Sequence, residues 1–299
     1  MCITQEILTK TSESIMNRTQ NQLESLMLSS SIFSLILVGC PAKSTTETAA
    51  PKQAVETAEA VATDAPPDGD WKAVYPNMPS GPKMILLSGN PGQGAFSAMV
   101  KLPAGHGSEL HTHPAAFHGV SVSGTVTNGR TAEDAVELSP GSVWTQPADE
   151  AHYTGCAGDT DCIFVGHMEG AMGTDKADGP VEVSTQTITA GADVTYTPVN
   201  PEAPQGPGMF VLSGDMTKGA FTAVVNFPEG ATSPKHSHSS SYAAAVVSGT
   251  VSHGGDTNMN TGDHWTQEGG VGHVTACASE TPCVFFVSME GAMDMTPAE

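Results

Sequence analysis

Beyond residue 70 the apolar positions come in short runs. Lys83–Ser88 (KMILLS), Ala95–Leu102 (AFSAMVKL), Gly119–Ser123 (GVSVS), Ser142–Gln146 (SVWTQ) and Cys162–Val165 (CIFV) are apolar or alternate apolar with polar, and Gly or Pro bounds each of them. Successive side chains of a strand point to opposite faces, so these runs predict strands. Turn signals recur about every 8–12 residues, the spacing of a sandwich or barrel. No segment past residue 70 sustains about 12 residues of helical period without Gly or Pro. The expectation is an all-β fold.

The pattern is written twice. Gly81–Val126 aligns with Gly206–Val251 at an offset of 125 with 21 of 46 positions identical, and Gly141–Gly173 aligns with Gly262–Asp294 at an offset of 121 with 16 of 33 identical. The spacer between the two blocks is 14 residues in the first copy and 10 in the second. A length change at one point between matching blocks is what a hairpin loop tolerates. The repeat therefore predicts two tandem β-sandwich modules, 71–180 and 181–299, joined near residues 178–190.

Composition narrows the class. The 11 Lys and Arg stand against 32 Asp and Glu, a net charge of −21, so the chain would repel phosphate and a nucleic-acid partner is excluded. Only 14% of residues are charged and 38% are hydrophobic, which excludes wholesale disorder. The 32 Gly and 21 Pro argue against a helical bundle.

The N-terminus reads differently. Leu26–Leu28, Ile32–Phe33 and Leu35–Val38 form an apolar stretch of about 14 residues interrupted by Ser29, Ser30, Ser31 and Ser34, too short to span a bilayer. It ends in Leu37-Val38-Gly39-Cys40, which resembles the lipobox of bacterial lipoproteins. That resemblance implies a signal peptide over 1–39 and a diacylglyceryl group on Cys40, with Met1 or Met16 as the start. It also implies an envelope protein facing the periplasm, in contact with the membrane only through its anchor. Pro41 at the next position implies, by that family's rule, sorting to the outer membrane. Residues 40–70, rich in Ala, Thr, Glu and Pro, lack apolar periodicity and are expected to be a disordered tether.

The histidines carry the chemistry. His111-Thr-His113 and His236-Ser-His238 occupy equivalent positions, as do His152 and His273. Residues i and i+2 of a strand share a face, so each His-x-His sets two imidazoles side by side. A third imidazole from another strand completes a set that suits Zn, Cu, Fe or Ni. His106, His167, His253 and His264 read as surface or turn residues. Gln146 and Gln267 lie on an inward strand near the site and are candidates to bind a ligand. Trp144 and Trp265 open that strand in each copy as core aromatics.

These residues also carry a resemblance. Gly105-x5-His111-x-His113-x4-His118-x5-Gly124 and Gly141-x5-Pro147-x-Asp149-x2-His152 resemble the two cupin motifs. The second copy repeats them as Gly230-x5-His236-x-His238 with Gly249, then Gly262-x5-Glu268-x-Gly270-x2-His273. The chain is similar to bicupins of a domain-of-unknown-function group related to the cupin part of the anti-sigma factor ChrR. The resemblance implies two tandem jelly rolls (double-stranded β-helices) with one divalent transition metal per module, Fe, Zn, Mn, Ni and Cu not being distinguished. The slot where enzymatic cupins place a Glu holds Phe117 or His118 in the first copy, and Tyr242 or Ala243 in the second. The first site is thus expected to be four histidines with His118, or three histidines plus water, and the second to offer three histidines and the Tyr242 phenol. Phe117 and Tyr242 are also candidate ligand contacts.

Cys156-x5-Cys162 and Cys277-x5-Cys283 bracket matching turns, and export makes two disulfides the expected state. Free thiols and metal ligation are the alternatives. The leading function is a lipid-anchored metal-binding bicupin that takes a small molecule, with catalysis left open. A non-haem dioxygenase acting on a small oxygenated substrate is one alternative, and a non-catalytic sensor or structural module is another. Cupin sheets often pair edge to edge, which leaves a homodimer as an option.

Overall fold

The structure is a computed structural model that describes residues 71–255 and 257–298. The signal peptide expected over 1–39, the tether over 40–70 and the lipidation site Cys40 lie outside the described residues.

The first module contains β1 (Lys72–Ala73), β2 (Lys83–Gly89), β3 (Phe96–Leu102), β4 (His111–Thr112), β5 (Phe117–Ser123), β6 (Thr125–Gly129), β7 (Val136–Leu138), β8 (Val143–Gln146), β9 (Tyr153–Ala157), β10 (Cys162–Met168) and β11 (Asp175–Lys176). After β12 (Thr187–Thr189) and a 3-10 turn at Gly191–Asp193, the second module repeats the series. It contains β13 (Thr197–Pro198), β14 (Gly208–Gly214), β15 (Phe221–Phe227), β16 (His236–Ser237), β17 (Tyr242–Ser248), β18 (Val251–His253), β19 (Asn258–Met259), β20 (His264–Gln267), β21 (Thr275–Cys277), β22 (Cys283–Met289) and β23 (Thr296–Pro297). The all-β expectation holds.

Each module is a jelly roll. The large sheets run β1-β2-β3-β10-β5-β8-β12 and β13-β14-β15-β22-β17-β20, and three-stranded sheets β7-β6-β9 and β19-β18-β21 face them. Strands next to each other in the sheet but distant in sequence, such as β3 beside β10, give the fold its crossovers. One difference breaks the symmetry. β12 lies in the range 181–299 assigned to the second module, yet it pairs with β8 through Thr187↔Thr145, Ile188↔Trp144 and Thr189↔Val143. The connecting segment thus closes an open sheet edge of the first module, whereas β20 ends the second module's sheet.

Inside the first jelly roll, Leu102, Val126, Leu138, Trp144 and Phe164 pack together, and the second has its own core around Phe221, Val225, Phe227, Val246 and Phe285. Trp144 is fully buried, while Trp265 is partly buried against its core. A side chain on Gly119 would run into the Trp144 indole, with a Cβ only 2.2 Å from it, so Gly119 makes room for the tryptophan. The disulfides Cys156–Cys162 and Cys277–Cys283 are both formed.

A further cluster joins the modules. Met99, Val120, Val122, Ile163 and Val165 of the first pack with Val224, Ala243, Ala245, Val247 and Phe286 of the second. The outer faces of the two large sheets therefore cover one another. That explains why β5 and β17 are buried along almost their whole length instead of at every second residue.

Candidate metal centres

The structure brings together the three histidines of each module. His111 and His152 face each other across an isolated antiparallel bridge, as do His236 and His273. The bridge is closed by reciprocal backbone bonds, His111 N to His152 O at 3.1 Å and His152 N to His111 O at 2.9 Å. His113 stands two residues on and shares the face of His111. A tight turn delivers the third imidazole. Asp149 adopts φ 58°, and Gly270, its counterpart, adopts φ 77° in the same left-handed turn.

The two sites repeat closely. Ring centroids of His111, His113 and His152 are 4.9, 4.3 and 5.1 Å apart, and those of His236, His238 and His273 are 4.9, 4.4 and 5.2 Å apart in the same order. In each triad one ring nitrogen per histidine lies within 4.8 Å of the others.

Hydrogen bonds decide which nitrogens these are. Nδ1 of His111 meets Glu109 O at 2.8 Å, Nδ1 of His113 meets Gly173 O at 2.6 Å, and Nδ1 of His152 meets Glu150 O at 3.1 Å. In the second module Nδ1 of His236 meets Pro234 O at 2.7 Å, that of His238 meets Asp294 O, and that of His273 meets Val271 O at 3.2 Å. A carbonyl only accepts, so each Nδ1 carries the hydrogen and each neutral ring presents a lone pair at Nε2. Burial favours the neutral form. It lowers the pKa of His111, His113 and His238, takes His273 to about 4 and His152 to about 3. Three converging lone pairs without a hydrogen among them fit a divalent cation.

The surroundings differ between the modules. Tyr242 and Phe117 hold equivalent positions, each paired across the sheet with a glutamine, Gln267 and Gln146. Phe117 packs edge-on against Phe164 and tilts toward Trp144. The Tyr242 hydroxyl lies 3.3 Å from His273 Nε2, and burial pushes this phenol up to about 12. Gln267 Oε1 takes a hydrogen bond from His253 Nε2 at 2.8 Å, while the fully buried Gln146 Oε1 has no partner. Gln146 Nε2 donates to Glu150 O at 3.1 Å, which fixes the orientation of its amide.

Three expectations need correction. His118 is not with His111, His113 and His152. It follows Phe117 on β5 and so points to the opposite face, where Nε2 lies 3.0 Å from Glu169 Oε1 and Nδ1 lies 3.1 Å from Thr145 Oγ1. His167, read as a surface or turn residue, sits beside it on β10, and its Nδ1 lies 3.0 Å from Ser97 Oγ. His253, read the same way, lies with its ring tilted and 4.8 Å from that of His273 inside the second module. A signal for His253 was available, since it alternates with the apolar Val251 and so shares its inward face. His264 is exposed and His106 lies at a turn, as expected.

Residues 184–293 match the family described as the ChrR cupin-like domain. Residues 40–172 match a family described as a domain of unknown function, DUF4437. No curated protein matches the chain. Among solved structures it is similar to a candidate dioxygenase from Nostoc punctiforme at 12% identity, with 73% of this chain and 78% of that chain covered and a TM-score of 0.57. It is also similar to the oxalate decarboxylases of Lactobacillus farciminis (13% identity, 72% and 83% covered, TM-score 0.45) and Bacillus subtilis (13%, 72% and 73%, 0.45). The first likeness shows a shared fold.

Proposed function

We propose, on the premise that the chain is a bicupin whose second module is of the ChrR cupin-like kind, that it is a lipid-anchored metal-binding protein of the bacterial envelope that takes a small molecule at its histidine sites. One observation carries the reading. In each module three imidazoles, each obliged by its own backbone hydrogen bond to present Nε2, converge with the same spacing. His111, His113 and His152 would hold one cation, and His236, His238 and His273 the other. A divalent transition metal there supplies a Lewis-acidic centre with positions left for a ligand. The histidines themselves hold no charge and leave the charge of the metal to attract an anionic group. Phe117 and Gln146 would orient the ligand in the first module, whereas in the second the Gln267 amide is held by His253, Glu268 and Val271.

Anchoring through Cys40 is supported by the Leu37–Cys40 sequence, and two disulfides suit an oxidising compartment. Mass spectrometry of the membrane fraction tests it, and an unacylated N-terminus in the mature protein would overturn it. Metal analysis of the purified protein tests the sites. About two ions per chain are expected, falling to about one in His152→Ala, and a chain that stays metal-free after reconstitution would remove the reading.

Phe117 favours a second reading, non-haem dioxygenase chemistry. A hydrocarbon ring where the other module has a phenol adds no protein donor and leaves room for exogenous ligands. Oxygen uptake by the iron-loaded protein with small diketones or catechol-like compounds, against His111→Ala, is the test.

A further inference from the structure

The two sites share their histidine arrangement and differ in one oxygen. We infer that Tyr242 supplies a fourth protein donor to the cation of the second module, so that this site offers three imidazoles and a phenolate while the first offers three imidazoles alone. The inference rests on the metal-binding reading above and concerns a residue of this chain that the histidine pattern does not contain.

The argument begins with the phenol's partner. His273 Nδ1 is committed to Val271 O, so Nε2 is the acceptor and the Tyr242 hydroxyl donates to it at 3.3 Å. That lone pair is also the one a cation would take. Once it is taken, the phenol loses this acceptor in a buried site, where Tyr242 is 7% exposed. Trp265 and Thr275 also lie within hydrogen-bond reach of this hydroxyl. Bonding the cation through oxygen, with the proton passing to solvent, would replace the bond lost at His273.

The distance is right for that outcome. With metal–nitrogen and metal–oxygen bonds of about 2.1 Å, adjacent corners of a tetrahedral set lie about 3.4 Å apart. The Tyr242 oxygen and His273 Nε2 are already separated by nearly that edge. The ring is also held in place, with centroids 5.6 Å from His238, 5.9 Å from His273 and 6.2 Å from His253. Tyr242 therefore needs little movement to coordinate. Phe117 has no oxygen to offer, so the first module keeps that corner for an exogenous ligand.

The experiment uses the full chain, stripped of metal and loaded with Cu(II). Bound copper is counted, the visible spectrum is recorded, and resonance Raman is excited within any charge-transfer band. The expected result is about two Cu(II) per chain and a phenolate-to-copper band with tyrosinate ring modes. Tyr242→Phe should abolish band and modes while both copper ions remain, since Phe already stands at this place in the first module. Phe117→Tyr should strengthen the band by adding a second phenolate. Two bound copper ions without tyrosinate modes, or modes that survive Tyr242→Phe, would overturn this inference alone. Failure to retain copper would overturn it together with the metal-binding reading.

Discussion

Gln146 and Gln267 hold the same register position in the two modules, but only Gln267 has its amide oxygen satisfied by the protein. His253 Nε2 reaches Gln267 Oε1 at 2.8 Å, whereas the position of His253 is taken in the first module by Asn128. Asn128 spends its own groups elsewhere, donating to Thr154 Oγ1 at 2.8 Å and accepting from Gln186. Gln146 Oε1 is left as a buried acceptor beside Phe117.

A buried acceptor without a donor is a place for a ligand's hydroxyl or amine. In the metal-loaded protein, glycolate should therefore bind the first module more tightly than acetate, by about tenfold for one hydrogen bond. Gln146→Leu should erase the preference and leave acetate binding nearly unchanged. Calorimetric titration of both anions into His273→Ala, where the second site is disabled, reads the difference. Equal affinities in the unmodified first site would sink the assignment of Gln146.

His118 provides the opposite case, a histidine of the motif with no part in the metal site. His118→Asn should keep about two metal ions per chain. It should lower stability instead, by about 1–2 kcal/mol, because Glu169 and Thr145 lose a buried partner. Glu169 also accepts from Ser213 Oγ of the second module at 2.6 Å, so the loss is transmitted to the junction. Urea unfolding combined with metal analysis separates the two roles, and loss of one metal would restore His118 as a ligand.

What could be read from the sequence followed from spacing. His-x-His places two rings on one face of an extended chain wherever the strand lies, and the repeat located the third ring in both copies. The disulfides followed from matched cysteines at a turn. His118 was ambiguous because a strand reverses its face at every residue, and the motif did not say whether Phe117 or His118 points inward. His253 fell in the unequal spacer beyond the aligned block. The burial of Ala243, Ala245 and Val247 came from the other module, which no local pattern reveals. The pairing of β12 with the first module was hidden for the same reason, since Thr187–Thr189 alone does not name the edge it will join.

The disulfides should act independently of the metal sites. Each closes a loop of only a few residues, so removing one by Cys156→Ser with Cys162→Ser should cost about 2 kcal/mol in the chain-entropy account. Cys277→Ser with Cys283→Ser should cost a similar amount. Denaturant midpoints of the two double variants check both values, with metal stoichiometry expected to stay the same. A variant that folds normally but loses its metal would show that the loop positions the histidines.

The junction gives the last prediction, because His167 is partly buried there and belongs to neither metal site. Its Nδ1 donates to Ser97 Oγ, and Ser97 in turn donates to Ser288 Oγ of the second module at 2.9 Å. Burial lowers the pKa of His167 to about 4, His118 pushes in the same direction, and Glu169 opposes them. In the unfolded chain the ring titrates near 6.5. The folded value is the lower one, so between these two values the unfolded chain binds a proton that the folded chain does not. The stability tied to neutral His167 is therefore complete above about pH 6.5 and drains away as the pH falls toward 4. His167→Gln keeps a hydrogen-bonding group and cannot take up that proton. In metal-free protein the stability difference between wild type and His167→Gln should shrink steadily from pH 6.5 to 4.5, by up to about 1.4 kcal/mol per pH unit for one proton. Unfolding curves in urea at four or five pH values measure it. The triad histidines contribute their own acid sensitivity to both proteins and cancel in the difference. A difference that does not change with pH would mean that His167 takes up its proton as readily in the folded protein as in the unfolded chain.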